Sequence, residues 1–124
     1  MSHNKFKIIV PFYNVEEWIH KCVKSIKLQT YKDFVCYLVD DISTDTTVDK
    51  ILPLIENDNR FVLVKNTEKK FALQNIFEAI EGSGDHGEDI IVTLDGDDWF
   101  ATKRVLDTLN KKYNTDRCFM TYGS

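Results

Sequence analysis

Two short acidic clusters carry most of the chemistry this sequence can offer: Asp40-Asp41-Ile42-Ser43-Thr44-Asp45 and Asp95-Gly96-Asp97-Asp98. Crowded carboxylates repel one another unless a cation or a hydrogen-bond donor neutralises them. The second cluster is compact enough to hold one hard divalent cation through oxygen ligands, and Gly96 lets the chain turn tightly and a ligand approach. Aspartates at strand ends also make turns and cap helices; that reading stays open for each residue singly, and both clusters together favour a cation site. Tyr13, in Val10-Pro11-Phe12-Tyr13-Asn14, offers a flat face on which a nucleobase can stack. On the residues alone this segment is better read as core packing with Asn14 as a helix cap. Lys69 and Lys70 precede a helical stretch and are placed to meet a diphosphate, or simply to be solvated. His3, His20 and His86 show no ligand spacing and read as surface residues, and the order Asn-Thr at Asn66 and Asn114 gives no glycosylation acceptor.

Alternating elements must position these groups. Phe6-Lys7-Ile8-Ile9-Val10 is a short β-branched run and predicts a first strand. Asn14, with Glu17 three residues on, predicts a capping box for a helix striped by Val15, Trp18, Ile19, Cys22, Val23 and Ile26. Phe34 to Val39 is continuously apolar, as a strand covered on both faces should be. A second helix uses Val48, Ile51, Leu52 and Ile55, with Pro53 expected to kink or shorten it. Phe61 to Val64 predicts a third strand, and Leu73, Ile76, Phe77 and Ile80 a third helix. After the flexible-looking stretch Glu81 to Gly87, residues Asp89 to Leu94 form a fourth strand. Val105, Leu106, Leu109 and Tyr113 stripe a fourth helix, and Cys118 to Tyr122 predict a fifth strand. Strands and helices in alternation predict an α/β layer fold with a mostly parallel sheet. Ligands bind such sheets beyond the carboxyl ends of the strands, which is where both acidic clusters fall.

Composition sets the outer bounds. A chain of 124 residues with 43% hydrophobic and 12% aromatic residues can bury one domain's core and is not a disordered tract. The net charge of -4, from 16 Lys+Arg against 20 Asp+Glu, argues against nucleic acid as the main partner. No apolar run approaches the roughly 18 residues of a membrane span, and no segment reads as an export signal. Cys22, Cys36 and Cys118 are widely spaced, without a CxxC pair, and read as buried thiols of a reducing, cytoplasmic compartment.

In combination, IIVPFYNVEEWIHKCVKSIKLQTYKDF, YLVDDISTDTT, KKFALQNIFEAI and DIIVTLDGDDWF resemble the glycosyltransferase family 2 enzymes of the GT-A fold. Members typically show a strand ending in P-x-Y-N, a Q-T pair closing the first helix, a V-D-D-x-S-x-D turn and an L-D-x-D-D loop. The resemblance implies a GT-A, Rossmann-like sheet with flanking helices over residues 1–124, serving as the nucleotide-sugar-binding, N-terminal part of a longer enzyme. It implies that Pro11 and Tyr13 line a base pocket. Asp41, with Asp40 beside it, would meet the uracil or ribose of a UDP-sugar, and Asp95 would lie near the ribose. Asp97, supported by Asp98, would hold the Mn2+ or Mg2+ that bridges the diphosphate. Asn75 belongs to the third motif, where the family often has Arg-Asn and this chain has Gln74-Asn75; Lys69 or Lys70 would then stand in for the arginine, and Lys70 is placed in the donor site.

The implied reaction is inverting, metal-dependent transfer of the sugar to an acceptor hydroxyl. The family's catalytic base is a carboxylate well downstream of the L-D-x-D-D loop. The residues after Asp98 read as one helix and one strand, so Asp107 and Asp116 are not assigned that role and the base is expected outside this chain, with the acceptor half. The implied partners are the nucleotide-sugar and an acceptor glycan, lipid or protein; homo-oligomers are allowed, and attachment to a membrane would come from other parts of a full protein. The alternative is a nucleotide-sugar-binding module without transfer activity. A phosphatase with a nucleophilic aspartate is disfavoured because the D-x-D loop follows the fourth strand rather than the first. A phospho-acceptor receiver domain lacks its acid pair after the first strand.

Overall fold

A computed structural model describes residues 5–82, 90–112 and 118–122. The elements alternate as expected: β1 (Phe6–Phe12), α1 (Ile19–Lys27), β2 (Phe34–Asp40), α2 (Thr47–Ile55), β3 (Phe61–Lys65), α3 (Phe71–Gly82), β4 (Ile90–Leu94), α4 (Val105–Lys112) and β5 (Cys118–Tyr122). The five strands form one parallel sheet in the order β3-β2-β1-β4-β5. The chain therefore builds outward from β1 through β2 to β3, then crosses back to lay β4 on the other side of β1. That reversal makes β1/β4 the topological switch point, where a crevice opens beyond the strand ends. β1 and β4 are paired only as far as Ile9–Thr93. Pro11, which has no N–H to give, lies past that last pair and so costs the β1–β4 ladder nothing.

β1 is buried along its whole length, as a central parallel strand must be. Its alternate residues Phe6, Ile8, Val10 and Phe12 join Phe34, Cys36 and Leu38 of β2 and Ile90, Val92 and Leu94 of β4 in a single core. Ile19, Cys22, Val23 and Ile26 of α1, Ile51 of α2, and Leu106 and Leu109 of α4 close that core from one side. Lys7, Ile9 and Pro11 point the other way, by the two-residue period of a strand, and α3 lies against β1 and β2. Two striped positions depart from expectation: Trp18 and Leu52 are exposed rather than buried. Pro53 sits inside α2, which ends two residues later; the Lys27 Nζ donates to the Leu54 carbonyl (2.6 Å) and satisfies one of the acceptors left at that end. The Leu73, Phe77 and Ile80 side chains, Tyr113, Asp89, Asp116, His3, His86 and most of the glycine-rich stretch after α3 lie outside the described residues.

Asn14 does not cap α1. Its φ of 50° puts it in the left-handed region, and α1 begins at Ile19 with Trp18 as an N-cap that makes no side-chain bond. The Asn14 Oδ1 instead accepts from the Thr44 N–H (2.7 Å) and its Nδ2 donates to Thr44 Oγ1 (3.1 Å), clamping the loop after β1 to the loop after β2. The N–H groups ahead of α1 are met from the same direction: Val15 donates to Thr47 Oγ1 (3.0 Å) and Glu16 to Asp45 Oδ2 (3.3 Å). Sequence spacing sees a cap only along one segment, and here the partner lies some thirty residues away.

Gln29 and Thr30 tie α1 to the segment that leaves the second acidic loop. Gln29 is fully buried; its Nε2 donates to the carbonyls of Thr102 (2.7 Å) and Ser25 (3.1 Å), and its Oε1 accepts from the Leu106 N–H (3.0 Å). Thr30 donates its N–H to the Lys103 carbonyl (2.8 Å) and its hydroxyl to Asp107. Replacing Gln29 with Leu strands the buried Leu106 N–H and removes the donor shared by the Thr102 and Ser25 carbonyls, so Gln29→Leu is expected to lower unfolding stability by about 2–4 kcal/mol. Urea denaturation measures this, and a loss below about 0.5 kcal/mol would contradict the clamp.

Candidate functional site

The loops after β1, β2 and β4 meet at one edge of the sheet, and the two acidic clusters behave differently there. Asp41 is almost completely buried and belongs to the protein's own bonding. Its Oδ1 accepts from the Lys70 N–H (2.7 Å) and Asn66 Nδ2 (3.0 Å); its Oδ2 accepts from the Phe71 N–H (2.8 Å) and lies 3.4 Å from Lys69 Nζ. It thus anchors the N-terminus of α3, where an anion is favoured. Burial pushes its carboxyl upward, but these four donors outweigh that and hold it at about 2. The Asp40 Oδ1 accepts from the Ser43 N–H (2.8 Å) in a local turn. Asp45 accepts from the N–H and hydroxyl of Thr47 and from the Glu16 N–H; burial opposes these bonds, yet its carboxyl stays below the usual range. For Asp40, Asp41 and Asp45 the hydrogen bonds therefore bear out the turn-making and capping use of strand-end aspartates. Protein donors satisfy the β2 cluster, because the loops facing it supply N–H and hydroxyl groups that a strand-by-strand reading does not bring near.

The β4 cluster gathers three carboxylates closely enough to hold a cation. Asp95, Asp97 and Asp98 each offer a carboxylate oxygen, all within 4.8 Å of one another, and Asp95 and Asp97 are exposed. Partial burial and the charges of Asp97 and Asp98 raise the Asp95 carboxyl above its ordinary value. Three closely spaced carboxylate oxygens are hard ligands of the kind that suit a divalent cation such as Mn2+ or Mg2+. Gly96 is needed here for space rather than for an unusual dihedral. A Cβ at that position would sit 2.6 Å from Phe12 Cβ and 3.1 Å from Val15 Cγ2. The loop is thereby pressed onto the end of β1.

Beside it, a cavity of about 160 Å³ is lined by Pro11, Phe12, Tyr13, Asp41, Lys69, Phe71 and Asn75. The structure thus brings together Pro11, Tyr13, Asp41 and Asn75 of the expected site. Lys70 is turned elsewhere: its Nζ pairs with Glu78 Oε1 at 2.6 Å, and Gln74 Nε2 donates to the same carboxylate at 2.8 Å. Lys69 is the lysine that enters the cavity, its Nζ 3.1 Å from the centroid of the Tyr13 ring. Two neighbouring lysines before a helix look alike in sequence; Glu78, two turns into α3, separates them.

Asn66 is a residue that spacing did not single out. Its Nδ2 bridges Asp41 Oδ1 and Asn75 Oδ1 (2.6 Å), so it orients Asn75. The Asn75 Nδ2 is buried with no hydrogen-bond partner among the described residues, at the wall shared by this cavity and a second one of about 240 Å³ bounded by Tyr37, Val39, Val64, Asn66, Glu78 and Ala79. A buried donor without a partner is costly, and an acceptor on a water or a bound molecule in either cavity would relieve it. Cys22, whose thiol lies 3.8 Å from the Asp95 carbonyl, and Cys36 are buried; burial, reinforced at Cys22 by Asp98, Asp97 and Asp95, pushes both thiols up, so neither is a nucleophile.

Two measurements check this geometry. Gly96→Ala forces β1 and the acidic loop apart and is expected to cost about 1–3 kcal/mol of stability in urea unfolding; an unchanged midpoint would contradict the close approach. Asp41 sits below its unfolded value, so its stabilisation is present above the ordinary carboxylate pKa and is lost as the pH falls through about 2. The gap in stability between the parent chain and Asp41→Asn, on the order of 1–2 kcal/mol near neutrality, is expected to shrink from about pH 4 downward. A gap independent of pH would show that Asp41 is not held ionised by these donors.

Comparison with known proteins gives this edge its context. The description Glycosyl transferase family 2 matches residues 7–121. Glycosyltransferase GlyA of Streptococcus pneumoniae is 32% identical over 124 residues, 98% of this chain and 17% of GlyA. The Escherichia coli UDP-Glc:alpha-D-GlcNAc-diphosphoundecaprenol beta-1,3-glucosyltransferase WfaP is 30% identical over 94% of this chain and 44% of its own length. Among solved structures, Staphylococcus aureus TarS 1-349 in complex with UDP-GlcNAc aligns with a TM-score of 0.72 at 24% identity, over 86% of this chain and 30% of TarS 1-349. The mannosyltransferase PcManGT of Pyrobaculum calidifontis, in complex with GDP-Man and Mn2+, aligns with a TM-score of 0.75 at 24% identity, over 92% of this chain and 33% of PcManGT. The chain thus spans between about a sixth and a half of the curated relatives named, and its fold is that of the GT-A enzymes. With its switch-point cavity, its acidic loop and a family match along nearly its whole length, this chain belongs to glycosyltransferase family 2.

Proposed function

We propose that this chain is the donor-binding part of an inverting, metal-dependent glycosyltransferase that uses a nucleoside-diphosphate sugar, with UDP as the nucleotide. One observation carries the reading: the Tyr13–Lys69–Asn75 cavity and the Asp95–Asp97–Asp98 trio lie at the ends of adjoining strands, β1 and β4, on either side of the switch point. A flat ring, a cation and an unpartnered amide donor suit a base that presents carbonyl oxygens, as uracil does. The base would stack on the Tyr13 face, so Lys69 must move off the ring as it arrives. Lys69, rather than Lys70, then supplies the positive charge that the family's arginine provides elsewhere. Pro11 bounds the cavity, while Asp40 and Asp41 shape it from behind by fixing the β2 turn and the start of α3.

Asp97 and Asp98 would hold the divalent cation, with Asp95 between them and the ribose. When bound, that cation offsets the charge on the diphosphate and stabilises it as a leaving group. In the reaction, an acceptor oxygen forms a bond to the anomeric carbon while the bond from that carbon to the diphosphate oxygen breaks, and the acceptor proton passes to a base. None of the residues of the donor site takes that role, and we place the base, with the acceptor site, outside them.

Isothermal titration of the chain with a UDP-sugar in Mn2+ tests the reading. Asp97→Ala is expected to weaken donor binding at least about tenfold. Lys69→Met is expected to do so by a similar factor while Lys70→Met leaves binding within about twofold. Binding indifferent to Asp97, or weakened by Lys70→Met and not by Lys69→Met, would overturn these roles.

A further inference from the structure

A second surface adjoins the acidic loop and shares no lining residue with the Tyr13 cavity. Trp18, just ahead of α1, and Trp99, directly after the acidic loop, stack with ring centroids 6.5 Å apart and planes 24° from parallel. Both remain well exposed, Trp18 at 46% and Trp99 at 36%, and Lys21 Nζ stands 3.8 Å from the centre of the Trp99 ring. Trp99 also forms a wall of an open groove of about 350 Å³, with Lys21, Lys24, Leu28 and Lys103 along it and no acidic residue among the described residues that line it. Leu28, at the end of α1, is 65% exposed. The two segments that build this surface, Trp18 to Leu28 and Trp99 to Arg104, carry Lys21, Lys24, Lys27, Lys103 and Arg104 and no Asp or Glu, in a chain with 20 acids. The charge of the chain is thus reversed locally, around side chains that project into solvent.

We infer that this tryptophan–lysine surface docks the chain on a membrane rich in anionic phospholipid headgroups. The charge is complementary to lipid phosphates, and the apolar part protrudes rather than lining a deep slot. That is the form an interfacial anchor takes: indole rings at the headgroup boundary, lysine stems lying along them and ammonium groups on the phosphates. An acidic peptide would be met by the groove and the lysines but leaves Trp18, which does not line the groove, unused. Because Trp18 and Trp99 sit at the rim of the acidic loop, docking here would set the donor site against the bilayer surface.

The chain has two tryptophans, and both are in this surface, so intrinsic fluorescence reports on it directly. Vesicles of phosphatidylcholine with about 30% phosphatidylglycerol, at about 0.1 M salt, are expected to shift the emission to the blue and to co-sediment the chain. Vesicles of phosphatidylcholine alone should do neither. The triple variant Lys21→Glu, Lys24→Glu, Lys103→Glu is expected to bind the anionic vesicles at least about tenfold more weakly, with an unaltered circular dichroism spectrum. No shift with anionic vesicles, equal binding by the triple variant, or a shift produced by polyglutamate but not by vesicles would overturn the inference. None of these arms contains nucleotide, so donor binding, titrated in separate samples, fails or succeeds independently of vesicle binding.

Discussion

The carboxylate of Asp41 holds this sheet edge in shape. It leaves the end of β2, hydrogen-bonds the N–H groups that open α3, takes the amide of Asn66 and faces the ammonium of Lys69. An ion buried this deeply is tolerated only when its acceptors are filled, and here four protein donors fill them. That one group fixes the placement of most of the cavity: Lys69 over Tyr13, Asn66 against Asn75, and Phe71 at a φ of 65° as the chain turns into α3. Ile42, next to Asp41, also adopts a φ of 65°, a region that β-branched residues rarely visit. Strain of this kind, typically about 1–3 kcal/mol for each residue, is concentrated where the loops must be aimed rather than merely closed.

The acids of the edge therefore divide into two kinds. Asp40, Asp41 and Asp45 are consumed by hydrogen bonds that build the loops after β1 and β2. Asp95, Asp97 and Asp98 crowd together where β1 and β4 part, and partial burial with the charges of Asp97 and Asp98 raises the Asp95 carboxyl. The first group makes the cavity rigid, and the second leaves a negative site that a cation would neutralise. Gly96 joins the two, because the loop is seated on Phe12 and can move only if β1 moves with it.

Much of this was legible in sequence. The apolar runs announced the nine described elements, since strands buried on both faces and striped helices differ in period, and strand-helix alternation implied the parallel sheet. The acidic loop was legible because three aspartates within four residues have few other uses. What escaped was every bond across loops. Asn14 has the local signature of a cap, yet its partner is Thr44. Trp18 falls on the helical stripe but lies too near the start of α1 to reach the core. Lys69 and Lys70 cannot be told apart until Glu78 is seen to hold one of them. Asn66 has no local signature at all, and its importance arises only from the crossing of β2 and α3.

If the acidic loop and the Tyr13 cavity are one donor site, a cation in the first and a nucleotide in the second each favour the other's binding. Linkage requires that coupling to be reciprocal. Free Mn2+ measured by electron paramagnetic resonance, with and without UDP, tests it without any acceptor or turnover. If the two regions act together, UDP tightens Mn2+ binding to the chain at least about tenfold beyond the affinity of UDP itself for the ion. Equal Mn2+ affinity in the presence and absence of UDP, once Mn2+–UDP association is subtracted, would show that the loop and the cavity are not one donor site.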